Sequence, residues 1–193
     1  MLFLFILRLN LSFIASLAVF VFGLFFEGLA SFLLARQTKE SERTRWIEKA
    51  EHVLTILKYW SEHSSWNWES KMLLLEAEKM STMGNFDQAS LFYERALRSA
   101  REHKFINDEA IASELSGTFF CERGLSVAAE ALLLHSVHCY KTWGALAVAR
   151  RVETYIANKY GTDTVHRKPD SEILASIFAA CNGDSSKKRQ EAG

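Results

Sequence analysis

The stretch "MSTMGNFDQASLFYERALRSA", residues 80–100, decides how this chain is read. Gly84 is free to take the positive φ that ends a helix. Asn85 then offers a side-chain acceptor at an N-cap position, with Gln88 three residues on, a variant of the capping box. Phe86, Ala89, Tyr93, Ala96, Leu97 and Ala100 follow at spacings of three and four, which predicts a helix with one buried stripe. Ala89 and Ala96 are small enough for a neighbouring helix to come close. A turn, a cap and an amphipathic helix in that order predict a helical hairpin.

The same grammar extends on both sides. Upstream, Trp46, Ile47, Ala50, Val53, Leu54, Leu57 and Trp60 form one apolar stripe, and "SEHSSWNW" (61–68) reads as a break. Leu73, Leu74, Ala77 and Met80 then share a face. Downstream, Asp108 and Glu109 sit where acids suit the positive end of a helix dipole. That helix runs through Ile111, Leu115 and Phe119 to Gly124. Ser126 reads as the cap of a helix ending at Gly144, and a further one stops at Gly161. Residues 162–169 read as a linker, 170–182 as a short helix capped by Asp170, and 183–193 as a polar tail unable to bury itself. Residues 41–161 therefore form the helical body.

Composition narrows the function. Lys+Arg and Asp+Glu both number 23, so the basic excess that nucleic acid demands is missing and no nucleic-acid partner is expected. Cys121, Cys139 and Cys181 are an odd set without C-x-x-C spacing, which predicts buried free thiols rather than disulfides or a zinc site. A single proline in the chain favours helix.

The N-terminus differs from the rest. The run from Leu9 to Phe26 carries no charged residue and just reaches the length of a membrane span, and apolar character continues to Ala35. Residues 1–36 are expected to form an apolar helix. Three readings stand for it: an anchor over 9–35, a signal peptide with "GLA" (28–30) at the cleavage site, or a helix buried in a larger protein. Arg36, Lys39, Arg43, Arg45 and Lys49 would place an anchored chain's C-terminal part in the cytoplasm. Without an anchor the chain is expected in the cytoplasm.

The hairpins repeat. The offset from Gly84 to Gly124 is the same as that from Ala89 to Ala129. "LLLEAEKMSTMGNFDQASLFYERAL" resembles the tetratricopeptide pattern, with Ala77 at the small position of the first helix, Gly84 at the turn, and Ala89, Tyr93 and Ala96 following. Gly117, Phe120, Gly124 and Ala129 fit a second copy, in which Leu133 and Ser136 replace the aromatic and the alanine. The resemblance implies an all-α, antiparallel helical-hairpin solenoid with an apolar N-terminal helix. Its hairpin connection is longer than a repeat of about 34 residues allows.

Taken in order, "FFEGLASFLLARQT", "KMLLLEAEKMSTMGNFDQASLFYERALRSAREHKFINDEAIASELSGTFF" and "AAEALLLHSVHCYKTWGALAVARRVE" resemble one region of the large multi-sensor histidine kinases. It is their tetratricopeptide-like helical-repeat segment. A serine/threonine-kinase-like domain and an AAA-type NTPase domain precede it there, and a GAF or PAS sensor and the histidine kinase follow. The resemblance spans residues 25–155 and implies a scaffold between domains, with protein partners or neighbouring domains of a signalling chain. It carries over no catalytic residue. The flanking catalytic domains are not in this sequence, and residues 1–24 do not match that family, as expected of a truncated relative or of an acquired anchor.

No P-loop, G-x-G-x-x-G, H-E-x-x-H or G-x-S-x-G occurs. No catalytic residue, cofactor or metal is expected, and the chain is read as non-enzymatic. His135, His138 and Cys139 share a helix face but are read as packing residues, since a structural site takes four ligands. Glu76, Glu78, Glu109 and Glu114 are read as a solvated face. Trp60, Trp66 and Trp68 gather around a break, as a hairpin plug or as part of a groove. Arg98, Arg101 and Lys104, or Arg150 and Arg151, are candidates for an acidic partner. Trp60, Trp66, Tyr93 and Arg98 are the residues expected near a protein-binding surface. The alternatives are a membrane-anchored adaptor and a fragment without independent function.

Overall fold

The computed structural model describes residues 22–179, and the described residues fold as helices without a strand. The first helix, α1, covers 22–37. It is followed by α2 (Glu40–His63), α3 (Ser65–Thr82), α4 (Phe86–Glu102), α5 (Ile106–Glu122), α6 (Ser126–Trp143) and α7 (Leu146–Tyr160). A 3₁₀ turn (Thr162–His166) and α8 (Ser171–Ala179) close the described chain. Sequence neighbours pack against one another, most extensively α3 with α4 and α5 with α6. α8 crosses back onto α4 and α6.

One turn, made four times, sets this arrangement. Gly84, Lys104, Gly124 and Gly144 all have positive φ, at 76°, 60°, 76° and 90°, and they are evenly spaced along the chain. At each, the next residue's N–H reaches back five positions, from Asn85 to Met80, Phe105 to Ala100, Leu125 to Phe120 and Ala145 to Tyr140, at 2.9–3.0 Å. The turn residue's own N–H bonds the carbonyl three positions back, completing a Schellman motif. Lys104 therefore divides the step from Gly84 to Gly124 into equal halves.

The buried stripe of α4 matches its sequence pattern at Ala89, Tyr93, Ala96, Leu97 and Ala100. Phe86 departs from it: at the first helical position it is 48% exposed, its ring against Phe119 and Arg123. Asn85 does cap α4, its side chain accepting from the Gln88 N–H at 3.4 Å. Its own N–H is engaged by Met80, so the reciprocal half of the box is not made. Ser126 is not a cap; it is the first helical residue of α6, and Leu125 holds the cap position without a side-chain acceptor. Asp170 does cap α8, accepting from the N–H groups of Glu172 and Ile173. The break expected over 61–68 contracts to Ser64, because helix resumes at Ser65. Trp66 and Trp68 consequently project from a helix rather than a loop.

α1 packs as part of the body. Phe25, Leu29, Phe32 and Ala35 are buried on one side of it. Gly28 lies so close to α2 and α3 that a Cβ there would meet Val53 and Leu75 side chains at 2.9 Å. Glu27 pairs with Lys49, and Arg36 with Glu78, each at 2.7 Å. No helix among the described residues is long and apolar enough to cross a membrane. Residues 1–21, with the start of the expected anchor, and 180–193, with the tail, lie outside the described residues.

The main core joins α1 to α5 with Leu132 of α6 and Leu174 of α8. A second cluster fills the space between α6 and α7 with Leu133, Val137, Val152 and Ile156. Each fully buried aliphatic side chain contributes on the order of 1.5–3 kcal/mol, so the two clusters carry most of the stabilisation.

Candidate functional site

A groove runs between the outward side of α1 and the α5–α7 layers, with a volume of about 520 Å³. Its walls are mostly apolar: Phe26 and Leu33 from α1, Ile111 and Leu115 from α5, Trp143 from α6 and Val148 from α7. The helical spacing of 26, 30 and 33 turns these α1 positions away from the buried set 25, 29, 32 and 35. Phe26 and Trp143 are each 48% exposed, large apolar surfaces facing solvent across the opening.

One polar cluster marks the rim. The Glu114 carboxylate accepts from Tyr140 Oη at 2.8 Å and pairs with Arg151, whose nitrogen lies 2.8 Å from Oε1. Burial first, then the Glu114 charge and the hydrogen bond to it, raises the Tyr140 phenol well above the ordinary tyrosine range. Both Glu114 oxygens are engaged, while Arg151, with 63% of its side chain exposed, still presents a cationic edge to solvent. The arrangement suits an apolar side chain set beside an acidic or hydrogen-bonding group.

The four residues expected near a binding surface are not brought together, and none lines this groove. Trp60 is half-buried with its ring 4.9 Å from Trp68, a packed junction at the α2–α3 corner. Trp66 is 58% exposed and rests on His103 at 4.6 Å. Tyr93 is buried, not at a surface: it donates to Glu78 and packs on Phe119. Burial and then the Glu78 charge push its phenol well above the usual value. Arg98 is partly buried on α4 beside Glu94, whose carboxyl burial raises.

The acids expected on a solvated face are the chief correction. Glu78 is 1% exposed and bound by Arg36 and Tyr93. Glu76 pairs with Lys58, and Glu109 with His135 at 2.8 Å. Asp108, read only as a dipole partner, lies 5% exposed against Lys71 and Ser70. Each acid sits at a helix–helix contact, and each has a cation or hydroxyl delivered from another helix, which compensates the cost of burying it. Single-helix periodicity carries no sign of such partners.

The His135, His138 and Cys139 triplet is likewise rearranged. His138 is exposed, its ring stacked 6.4 Å from that of His135. Glu109 takes its place: ligand-capable atoms of Glu109, His135 and Cys139 all lie within 4.8 Å of one another. Burial, then the Glu109 charge, pushes the Cys139 thiol up to about 12.

A comparison with curated proteins finds that the chain is similar to hybrid signal transduction histidine kinase G of Dictyostelium discoideum, with 35% identity over 112 residues. The match covers 58% of this chain, which spans only about 3% of that protein's length. The similarity supports a relation to signal-transduction kinases over part of the chain. No family model matches the chain. No solved structure matches it.

Proposed function

We propose that this chain is a non-enzymatic scaffold segment of a signalling protein, a tetratricopeptide-like solenoid that holds a neighbouring domain or partner helix in the α1–α5–α7 groove. The single observation carrying this reading is the groove itself, apolar along its walls and cationic at Arg151. An amphipathic helix fits such a surface by laying apolar anchors into it at helical spacing. The even spacing of the four turns supports the solenoid, since equal helices stack face to face. The step from Gly84 to Gly124 is longer than the tetratricopeptide period of about 34 residues, so the likeness is one of arrangement. The relation to a multidomain signalling kinase supports a place beside other domains. The absence of turnover is part of the proposal: the acids that converge are each tied to a cation or hydroxyl.

A photo-crosslinking amino acid at Trp143, within the longest natural protein that contains this segment, tests the reading. One defined protein segment is expected to be captured, and Leu33→Glu in the opposite wall is expected to abolish the capture. A yield no higher than from the exposed control position Val127 would overturn it.

A further inference from the structure

We propose that Glu109, His135 and Cys139 form a three-ligand site for a divalent transition ion of the zinc class, pinning α5 to α6. The three groups bring an oxygen, a nitrogen and a sulfur from two helices to one point, with all three atoms within 4.8 Å. Bonds of roughly 2.0–2.3 Å at tetrahedral angles set ligand-to-ligand edges of about 3.3–3.7 Å. The edge from Cys139 Sγ to His135 Nε2 is 3.5 Å and already fits. The edge from His135 Nε2 to Glu109 Oε1 is 2.8 Å, and a small rotation of the flexible Glu109 side chain opens it. A thiolate with an imidazole selects zinc-class ions over magnesium or calcium, which take oxygen ligands. Thiolate and carboxylate together offset the ion's charge. A water would supply the fourth ligand, reached past the His135 and Glu109 side chains, which are 13% and 11% exposed. Arg101, 3.4 Å from the same Glu109 oxygen and 45% exposed, swings outward as the ion takes that oxygen.

The first hairpin supplies an internal comparison. One repeat earlier, at the offset that carries Gly124 back to Gly84, the same three positions hold Glu69, Arg95 and Ser99. The Ser99 hydroxyl donates to Glu69 at 2.9 Å, so the fold brings an acid to this helix position in both hairpins. Only the second hairpin has a histidine and a cysteine to join it. Packing alone asks for no such pair of ligand donors, as the serine and arginine of the first hairpin demonstrate.

Titration of Co(II) into the reduced full-length chain is the test, read by absorbance. One equivalent is expected to give a thiolate-to-cobalt charge-transfer band with the strong visible bands of four-coordinate cobalt, and Zn(II) is expected to displace it. Cys139→Ser is expected to remove the charge-transfer band. The double variant Cys121→Ser/Cys181→Ser, and His138→Ala, are expected to keep it. Should Cys139→Ser fail to fold by circular dichroism, Glu109→Gln must weaken cobalt binding by about tenfold or more. No charge-transfer band in the unaltered chain, a band that survives Cys139→Ser, or undiminished binding by Glu109→Gln would each overturn the site.

Discussion

The hairpins α3–α4 and α5–α6 share a backbone plan and solve their interiors differently. In the first, Ala77 and Tyr93 are both buried, the Tyr93 hydroxyl needs a partner, and Glu78 supplies one while Arg36 of α1 balances the charge. One repeat on, the corresponding positions are Gly117, Leu133 and Thr118. Leu133 fills its space with carbon and asks for nothing, but it lies so near α5 that a Cβ on Gly117 would meet its Cγ at 2.8 Å. At these three positions the first hairpin is fixed by a buried polar network and the second by close packing. A repeat therefore specifies where side chains meet, not the chemistry by which they meet.

The comparison breaks most visibly at Glu78. Glu78→Ala strands a buried phenol and an arginine, and is expected to cost roughly 3 kcal/mol in urea unfolding, the low end for half of a buried pair because Arg36 can still reach water. Thr118→Ala, at the matching position, is expected to cost under about 1 kcal/mol, since its hydroxyl only bonds back to the Glu114 carbonyl. Equal losses at the two sites would refute the distinction. Next in size is Gly117→Ala, expected to destabilise by about 1–3 kcal/mol through overpacking. Pairing it with Leu133→Ala, which removes the clashing Cγ and Cδ2, should give a double variant less destabilised than the sum of the two singles. Strict additivity would place the strain elsewhere. The smallest effect is a gain: Lys104→Gly relieves a left-handed lysine at φ 60° and is expected to raise stability by about 0.5–1 kcal/mol. No gain would mean that the lysine side chain makes compensating contacts outside the turn.

Legibility follows the range of the interactions. Gly84, Asn85 and the stripe from Ala89 to Ala100 depend on neighbours within one turn, and a single segment displays them. Lys104 conceals its membership of the turn series because a lysine gives no sign of positive φ, so the even division of the step from Gly84 to Gly124 is invisible in the sequence. The buried acids mislead for a related reason: Asp108 is matched by Lys71 and Glu78 by Arg36, from helices 37 and 42 residues away in sequence. The groove escapes notice because one wall, Phe26 and Leu33, belongs to a segment that reads as membrane-like when taken alone. Its apolar face is explained by α2 and α3, which no local pattern could supply. Tyr93 has the aromatic character of a binding residue, yet its place on the buried stripe of α4, against Glu78 and Phe119, sends it inward.

The even spacing of the turns has a consequence for how such a chain changes length over generations. Because Gly84 and Gly124 end their helices on the same bonding pattern, the backbone following each is interchangeable. Joining Gly84 directly to Leu125 would excise residues 85–124 and hand α6 the seat that α4 now occupies, with the junction intact. Unequal exchange between gene copies could therefore lengthen or shorten the array in whole units, leaving the interior of each remaining unit to be refitted by point substitution.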